Sequence, residues 1–443
     1  MYRYVDGVYG TIDIPQLVND LVDTEELQRL DDVMQTAMAR YVYRSAKTSR
    51  MEHCIGAFYI ASRVSKQLKL DETETKILQA GALLHDLGHP PLSHALEPLL
   101  KSIIGLSHEE LSYDYIIGKR FISESRISRI LEQDHSLNKE KIAQLIFKPK
   151  ESNDLIGRHV YLKQLISGII DVDRLDYLRR DAQQCKVPLT IDQDRLIGAM
   201  SIQEVDGLLQ LCFNKKDIES IVNFLQVRNR MYNVVYKHRK VKVFEAMQFE
   251  ALKIAFPELA KQGLQFEIMN DADVISKLLS FGGVPEELMR RMRENRNKGK
   301  YKIAFELNSH EAVYNNQLEL VRDLNNYEKI NTSKNNFGTD VIKQKIIELM
   351  PQSVESHKVL VDFPAKYEDP KIAVEKVNIN IINGEKVTKL FDLKDTRVDE
   401  IKSIAVKPDS ASYFSVYCVP EIVKEVREAT IKFLNKFSKG EID

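Results

Sequence analysis

The ten residues His85-Asp86-Leu87-Gly88-His89-Pro90-Pro91-Leu92-Ser93-His94 constrain this chain more than any other stretch. They follow an apolar run with Leu83 and Leu84, and Gly88 and the two prolines stop any helix that enters them. Such a helix leaves His85 and Asp86 in its last turn and His89 on the loop beyond. An unpaired polar group buried among apolar neighbours costs about 2–7 kcal/mol, so the fold has to supply partners here. A cation gripped by the adjacent imidazole and carboxylate is one such partner. Neighbouring helical residues point roughly 100° apart, yet both reach past a helix end to one ion. His89 and His94 are then close enough to move protons or hold phosphate beside it. The pattern points to metal-dependent hydrolysis.

Most of residues 15–350 reads as helix. Met51, Ile55, Phe58, Val64 and Leu68 recur at three-to-four-residue steps. Asp71 with Glu74 resembles a capping box opening a second helix that runs to Leu87. A hairpin is expected between Ile197 and Phe213, turning at Asp206-Gly207, with helical periodicity again over 216–262 and 311–350. The tail changes character. Ile372–Ile382 and Lys386–Phe391 flank Asn383-Gly384, a strong hairpin signal. Strand-like stretches follow at Ile401–Val406 and Tyr413–Val419, and Pro420 opens a last helix to about Phe437. The expected fold is mainly α: a helical catalytic lobe over 1–310, then a helical connector and smaller α+β lobe over 311–443.

With 64 basic and 65 acidic residues, no overall field draws the chain to nucleic acid or membrane, and neither partner is expected. Arg290–Lys302 is basic but has no interleaved aromatic except Tyr301, and reads as an exposed loop. Cysteines 54, 185, 212 and 418 form no CxxC pair, which suits a reduced, cytoplasmic setting. No apolar run reaches a membrane span, and Asp6, Gly7 and Asp13 break any signal-peptide pattern.

A complete metal centre needs donors beyond His85 and Asp86; His53, in Arg50-Met51-Glu52-His53, and Asp173, in Ile170-Asp171-Val172-Asp173-Arg174-Leu175-Asp176-Tyr177, are the candidates. The order H…HD…D, with HDxGHxxxxH at its middle, resembles the HD-domain phosphohydrolases. More narrowly it is similar to their deoxynucleoside triphosphate triphosphohydrolase branch, typified by an enzyme with an added SAM domain, of which no counterpart is expected in these residues. The similarity runs from Tyr9 to about Lys242, through Gln28-Arg29-Leu30, Ser107-His108-Glu109, Asp176-Tyr177 with Asp181, and Arg228-Asn229.

That resemblance implies an HD-type helical bundle and one divalent ion on His53, His85, Asp86 and Asp173. Mn, Fe, Zn or Mg all suit such a mixed N2O2 set, with Mg able to accompany the nucleotide. It implies water attack on the α-phosphate of a deoxynucleoside triphosphate, releasing deoxynucleoside and triphosphate. His94 would be the general acid, with His89 and His108 stabilising phosphate charge and Glu97 orienting a histidine. Arg50, Arg174 and Arg228 would bind phosphates, Tyr177 would exclude a 2′-hydroxyl, Gln35 and Asp181 would hold the 3′-hydroxyl, and Tyr236 would line the nucleoside pocket. A homo-oligomer, dimer or tetramer, is expected by the same resemblance. The family's activator-nucleotide site has an acid, a glutamine and an arginine; Asp23 and Gln28 match, but Asp31 stands at the arginine position. A carboxylate there repels phosphates, so a regulatory nucleotide stays an open question, with Lys216 as one retained contact and Asn214 in place of its basic neighbour. Two other readings stay open: an HD-type phosphodiesterase or phosphatase acting on other nucleotides, and a nucleotide-sensing module with vestigial chemistry.

Overall fold

The computed structural model describes residues 2–93, 96–294, 301–308, 320, 323–324, 326–327, 340–362, 379–406 and 412–442. Two antiparallel strands open the chain, β1 (Tyr2–Asp6) and β2 (Gly10–Ile14). Short helices α1 (Gln16–Val22) and α2 (Glu25–Arg29) lead to the long α3 (Arg50–Leu68) and α4 (Glu72–Leu84). Then come α5 (Glu97–Ile104), α6 (His108–Ile116), α7 (Arg126–Arg129), α8 (Lys139–Ile146), α9 (Val160–Ser167), α10 (Val172–Gln184) and α11 (Gln193–Gly198). A hairpin, β3 (Met200–Val205) and β4 (Leu208–Asn214), precedes α12 (Ile218–Met231), α13 (Arg239–Lys261), α14 (Asp271–Phe281) and α15 (Gly283–Glu294). The remainder alternates: β5 (Lys302–Asn308), α16 (Asp340–Glu348), β6 (Val359–Asp362), β7 (Asn380–Asn383), β8 (Lys386–Lys389), α17 (Thr396–Val406), β9 (Ser412–Cys418) and α18 (Val423–Ser438). The chain is thus mainly helical, with small sheets and a smaller α+β part, as expected.

Packing sorts the chain into two compact units that interleave in sequence. The first comprises Met1–Met231, Gln265–Val274 and Val374–Ile404; the second comprises Tyr232–Leu264, Ile275–Ala373 and Ala405–Asp443. In the first, α3 is the central helix, packed against α4 and α10. Its Cys54, Ile55, Ala57, Phe58, Ala61 and Val64 are all buried, so apolar and small residues occupy more than one face. A full capping box starts it: Ser49 accepts from the Glu52 amide while the Glu52 carboxylate accepts from the Ser49 amide. Such a cap contributes about 1 kcal/mol and fixes where the first turn points. The same unit holds a sheet in the order β3-β4-β7-β8, whose parallel β4–β7 pairing joins Cys212 to Asn380. In the second unit, β5, β9 and β6 form an antiparallel sheet, and α16 and α18 cover it with Ile342, Ile346, Val426 and Phe433.

Three expectations need correction. α4 ends at Leu84 rather than Leu87, so His85 is its C-cap and Asp86 lies in the turn beyond. The backbone there is held by the next layer instead: Ser112 of α6 donates its hydroxyl to the His85 carbonyl and accepts the Gly88 amide. The stretch Ile401–Val406 is the end of α17, not a strand; Val398 and Ile401 are both buried at helical spacing, although β-branched composition favours a strand. The late hairpin turns at Gly384-Glu385, one residue on, since Asn383 pairs with Lys386; the expected residues 372–378 lie outside the described residues. The early hairpin turns at Asp206-Gly207 as expected, both in left-handed backbone.

Candidate active site

Three segments of the first unit, far apart in sequence, bring four side chains together. His53 sits in the first turn of α3, His85 caps α4, Asp86 follows it, and Asp173 opens α10. His53 Nε2 lies 3.2 Å from His85 Nε2 and 3.1 Å from Asp173 Oδ1. His85 Nε2 is 3.6 Å from both Asp173 Oδ1 and Asp86 Oδ1, and Asp86 Oδ2 is 4.0 Å from His53 Nε2. The other ring nitrogens explain the orientation. His53 Nδ1 donates to Asp176 Oδ2 at 2.8 Å, and His85 Nδ1 donates to the Ala82 carbonyl at 2.8 Å. With the outer nitrogen so bonded, each ring points Nε2 inward, and in its neutral form would offer a lone pair there, the arrangement of a metal-ligating histidine.

Lone pairs and carboxylate oxygens facing one another at such distances require positive charge between them. Burial opposes protonation of His53, yet the hydrogen bonds to Asp173 and Asp176 outweigh it and push the imidazole up to about 10. Burial likewise opposes ionisation of Asp86 and Asp173. Arg50 and the two histidines overcome it at Asp86, and the histidines at Asp173, holding both carboxyls well below the usual range. A mixed nitrogen and oxygen donor set of this charge fits a divalent ion. Asp173 keeps 27% of its side chain exposed while His53 has none, so the cluster opens to solvent on the Asp173 side.

A shell of buried charge fixes the donors. Asp176 binds His53 and also takes two hydrogen bonds from Arg180, at 2.8 and 2.9 Å, and Arg180 reaches Asp6 of β1 at 2.9 Å. Gly56 makes this possible, because a Cβ there would stand 2.0 Å from Asp176 Oδ1. Arg50 pairs with Asp86 and donates to Ser93 Oγ at 3.0 and 3.2 Å. Neither Asp6 nor Ser93 carries a local sequence signal for this shell; only the i,i+4 spacing of Asp176 and Arg180 does.

A second group lies on the loop and α6. His108 Nδ1 is 2.6 Å from Glu97 Oε1, its Nε2 is 3.4 Å from Glu109 Oε1, and its ring stacks on His89 with centroids 4.4 Å apart. Burial disfavours the charged His108 ring, but Glu97 outweighs it and raises its pKa. His94 lies outside the described residues.

The other expected residues fall as follows. The Tyr177 ring meets the His53 ring edge-on at 6.4 Å, and Asp181 is buried farther along α10. Gln35 donates its backbone N–H to the Thr48 carbonyl, while its side-chain Oε1 is buried without a partner. Arg174 donates to the Gly168 carbonyl at 2.7 Å and pairs with Asp171, the α10 cap. Arg228 is half-buried in the last turn of α12, and Tyr236 ends a π-turn in the second unit, its ring 5.3 Å from Tyr232. Asp31 accepts from the Ser49 hydroxyl at 2.9 Å, so its carboxylate supports the α3 cap.

Comparison with known proteins agrees with this geometry. The family model of the HD domain matches residues 50–181, and that of the HD associated region matches residues 191–441. The chain belongs to the HD-domain family. It is a metal-dependent phosphohydrolase of that family, with His53, His85 and Asp86 close enough to share an ion. It is 28% identical to the uncharacterized protein MJ1154 of Methanocaldococcus jannaschii, over 98% of this chain and 83% of that one. It is 28% identical to the deoxynucleoside triphosphate triphosphohydrolase SAMHD1 homolog of Dictyostelium discoideum (68% of this chain, 60% of that one). It is 27% identical to deoxynucleoside triphosphate triphosphohydrolase SAMHD1 of Homo sapiens (56% and 43%). The HD chain thus spans about half the length of those triphosphohydrolases. A crystal structure of a hypothetical protein from Aquifex aeolicus superimposes with a TM-score of 0.69 at 25% identity, covering 97% of this chain and 99% of that one. Among the described residues, no helix is long and apolar enough to cross a membrane.

Proposed function

We propose that this HD protein hydrolyses deoxynucleoside triphosphates to a deoxynucleoside and inorganic triphosphate. The convergence of His53, His85, Asp86 and Asp173 carries the reading, with the named triphosphohydrolases among its relatives as support. A divalent ion held by those side chains supplies Lewis acidity toward a phosphate oxygen and lowers the pKa of water. Water oxygen bonds to the α-phosphorus, the bond from that phosphorus to the 5′ oxygen breaks, and a proton ends on the leaving deoxynucleoside oxygen. An alkoxide leaves poorly, so that proton matters; His94 is the proposed donor. His108, whose pKa Glu97 raises against the effect of burial, is assigned to the phosphate charge together with its stacking partner His89.

The sugar end rests on different residues. Gln35 Oε1 is a buried acceptor in want of a donor, which a 3′-hydroxyl would provide beside Asp181. Tyr177, edge-on to His53, is the wall against a 2′-hydroxyl. Arg228 is assigned to the far end of the triphosphate, Arg50 and Arg174 to nearer phosphates, and Tyr236 to the nucleoside. The test is incubation with each deoxynucleotide and its ribonucleotide counterpart in Mn2+ or Mg2+, followed by anion-exchange separation. Triphosphate from deoxynucleotides alone is expected. Pyrophosphate with monophosphate, or equal use of ribonucleotides, refutes the proposal.

A further inference from the structure

We propose that Asp271 is a positioning residue that locks the loop after the His85-Asp86 pair to the segment carrying Gln35. Its kinetic consequences rest on the deoxynucleotide reading above; its structural consequence does not.

The loop needs such a lock. Leu92 and Ser93 have φ of 59° and 53°, left-handed backbone that side-chain-bearing residues rarely adopt unless neighbours over-determine it. The Asp271 carboxylate, buried at 4% exposure, supplies what the turn lacks: Oδ1 accepts the Leu92 amide at 2.7 Å. Its other oxygen accepts the Met34 amide at 3.3 Å, with Arg40 3.7 Å away. Met34 is gripped from its other side as well, since its carbonyl accepts the Ser93 hydroxyl at 3.0 Å. Asp271, Leu92, Ser93 and Met34 thus close a ring, and Ser93 Oγ extends it to Arg50 and so to Asp86. The residue after Met34 is Gln35, the one with the buried, unpartnered acceptor. One carboxylate therefore sets the spacing between the loop next to the metal donors and the proposed sugar contact.

A second tie comes from the same segment. Arg29 donates to the Leu87 and His89 carbonyls at 2.9 and 2.8 Å and to the Met269 carbonyl at 3.1 Å. Gln265–Val274 belongs to the first unit although the chain on both sides of it belongs to the second. It lies outside the HD domain match and inside that of the HD associated region. The associated region thereby acquires a definite task at the catalytic loop, performed by a residue that touches neither phosphate nor ion.

Asp271→Asn in the full chain is the sharpest test, because it keeps the shape but offers one acceptor where two amides ask for it. Asp271→Ala serves as the second variant, and either one that folds is decisive. Three readouts are taken: kcat and KM for a deoxynucleotide, Mn2+ affinity by calorimetry, and hydrogen exchange of peptides spanning 30–36 and 87–93. Exchange at both peptides should quicken roughly tenfold or more, and kcat should fall at least tenfold, while KM and Mn2+ affinity move less than about threefold; small misplacements at a reacting centre cost rate on this scale. Wild-type exchange and kcat in the variant would overturn the proposal, as would a loss of Mn2+ affinity in step with kcat. If the wild-type chain releases no triphosphate, the deoxynucleotide reading falls and the exchange data alone decide the role of Asp271.

Discussion

Asp176→Asn is the perturbation that most directly tests how the proposed metal donors are aimed. In the wild-type chain one buried carboxylate accepts from His53 Nδ1 at 2.8 Å and from two Arg180 nitrogens at 2.8 and 2.9 Å. An amide keeps a single acceptor oxygen and places an NH2 against a donor. Breaking a buried ion pair costs about 3–5 kcal/mol when the partner is left alone. Arg180 still has Asp6 at 2.9 Å, and the amide retains one hydrogen bond, so a loss of about 2–3 kcal/mol in metal-free stability is expected. The His53 ring also loses the anion that raises its basicity. Outer partners of this kind are worth roughly 10–100-fold in metal affinity, or about 1.4–2.8 kcal/mol. Calorimetric Mn2+ titration and urea unfolding of metal-free protein measure the two quantities separately. Wild-type Mn2+ affinity in the variant would refute the reasoning, because His53 would then not depend on Asp176 for its tautomer. A complete loss of binding would also contradict it, by making Asp176 a ligand rather than a support.

Further outcomes follow from neighbouring contacts. Gly56→Ala should destabilise the fold by about 3 kcal/mol in urea, since its Cβ meets Asp176 Oδ1 at 2.0 Å and an Arg180 nitrogen at 2.3 Å, both without room to retreat. Glu97→Gln should shift the alkaline decline of kcat to lower pH: Glu97 raises the His108 pKa, so the charged ring present below that pKa is lost sooner as pH rises. Glu109 and Asp86 still favour the charged ring, and an unchanged kcat–pH profile refutes the role. Chelation should abolish hydrolysis, and Mn2+ at about 100 times its dissociation constant should restore it with a stabilisation of about 2.7 kcal/mol, seen as a higher unfolding midpoint that His85→Ala does not show. Arg228→Ala should raise KM for a deoxynucleoside triphosphate at least tenfold; an unchanged KM would remove Arg228 from the triphosphate site.

How far the site was legible depended on whether its chemistry lay within one turn of chain. Gly88 and the Pro90-Pro91 pair announce the end of α4 locally, and the His-Asp pair beside them reads as a donor set because imidazole and carboxylate are costly to bury otherwise. The helix nevertheless stops three residues early, at Leu84, because Ser112 takes the backbone groups that another turn would have used. Composition cannot report a hydroxyl that arrives from α6. The same limit explains α17, where Ile401–Val406 looks like a strand until the buried face that receives Val398 and Ile401 at helical spacing is known.

The supporting shell was harder still, and for a physical reason. Asp6, Arg29, Arg180 and Asp271 each make their contacts across long separations: 174 residues from Asp6 to Arg180, 240 from Arg29 to Met269 and 179 from Leu92 to Asp271. No periodicity or spacing encodes such a pairing, since each partner alone is an ordinary charged residue in a charged chain. What marks them afterwards is burial. An Arg180 side chain with 1% exposure, or an Asp271 carboxylate under two backbone amides, is tolerable only where hydrogen bonds replace the lost water. The proposed ligands therefore declare themselves by residue type, while the groups that aim them become visible only when the fold shows which charges it has removed from solvent.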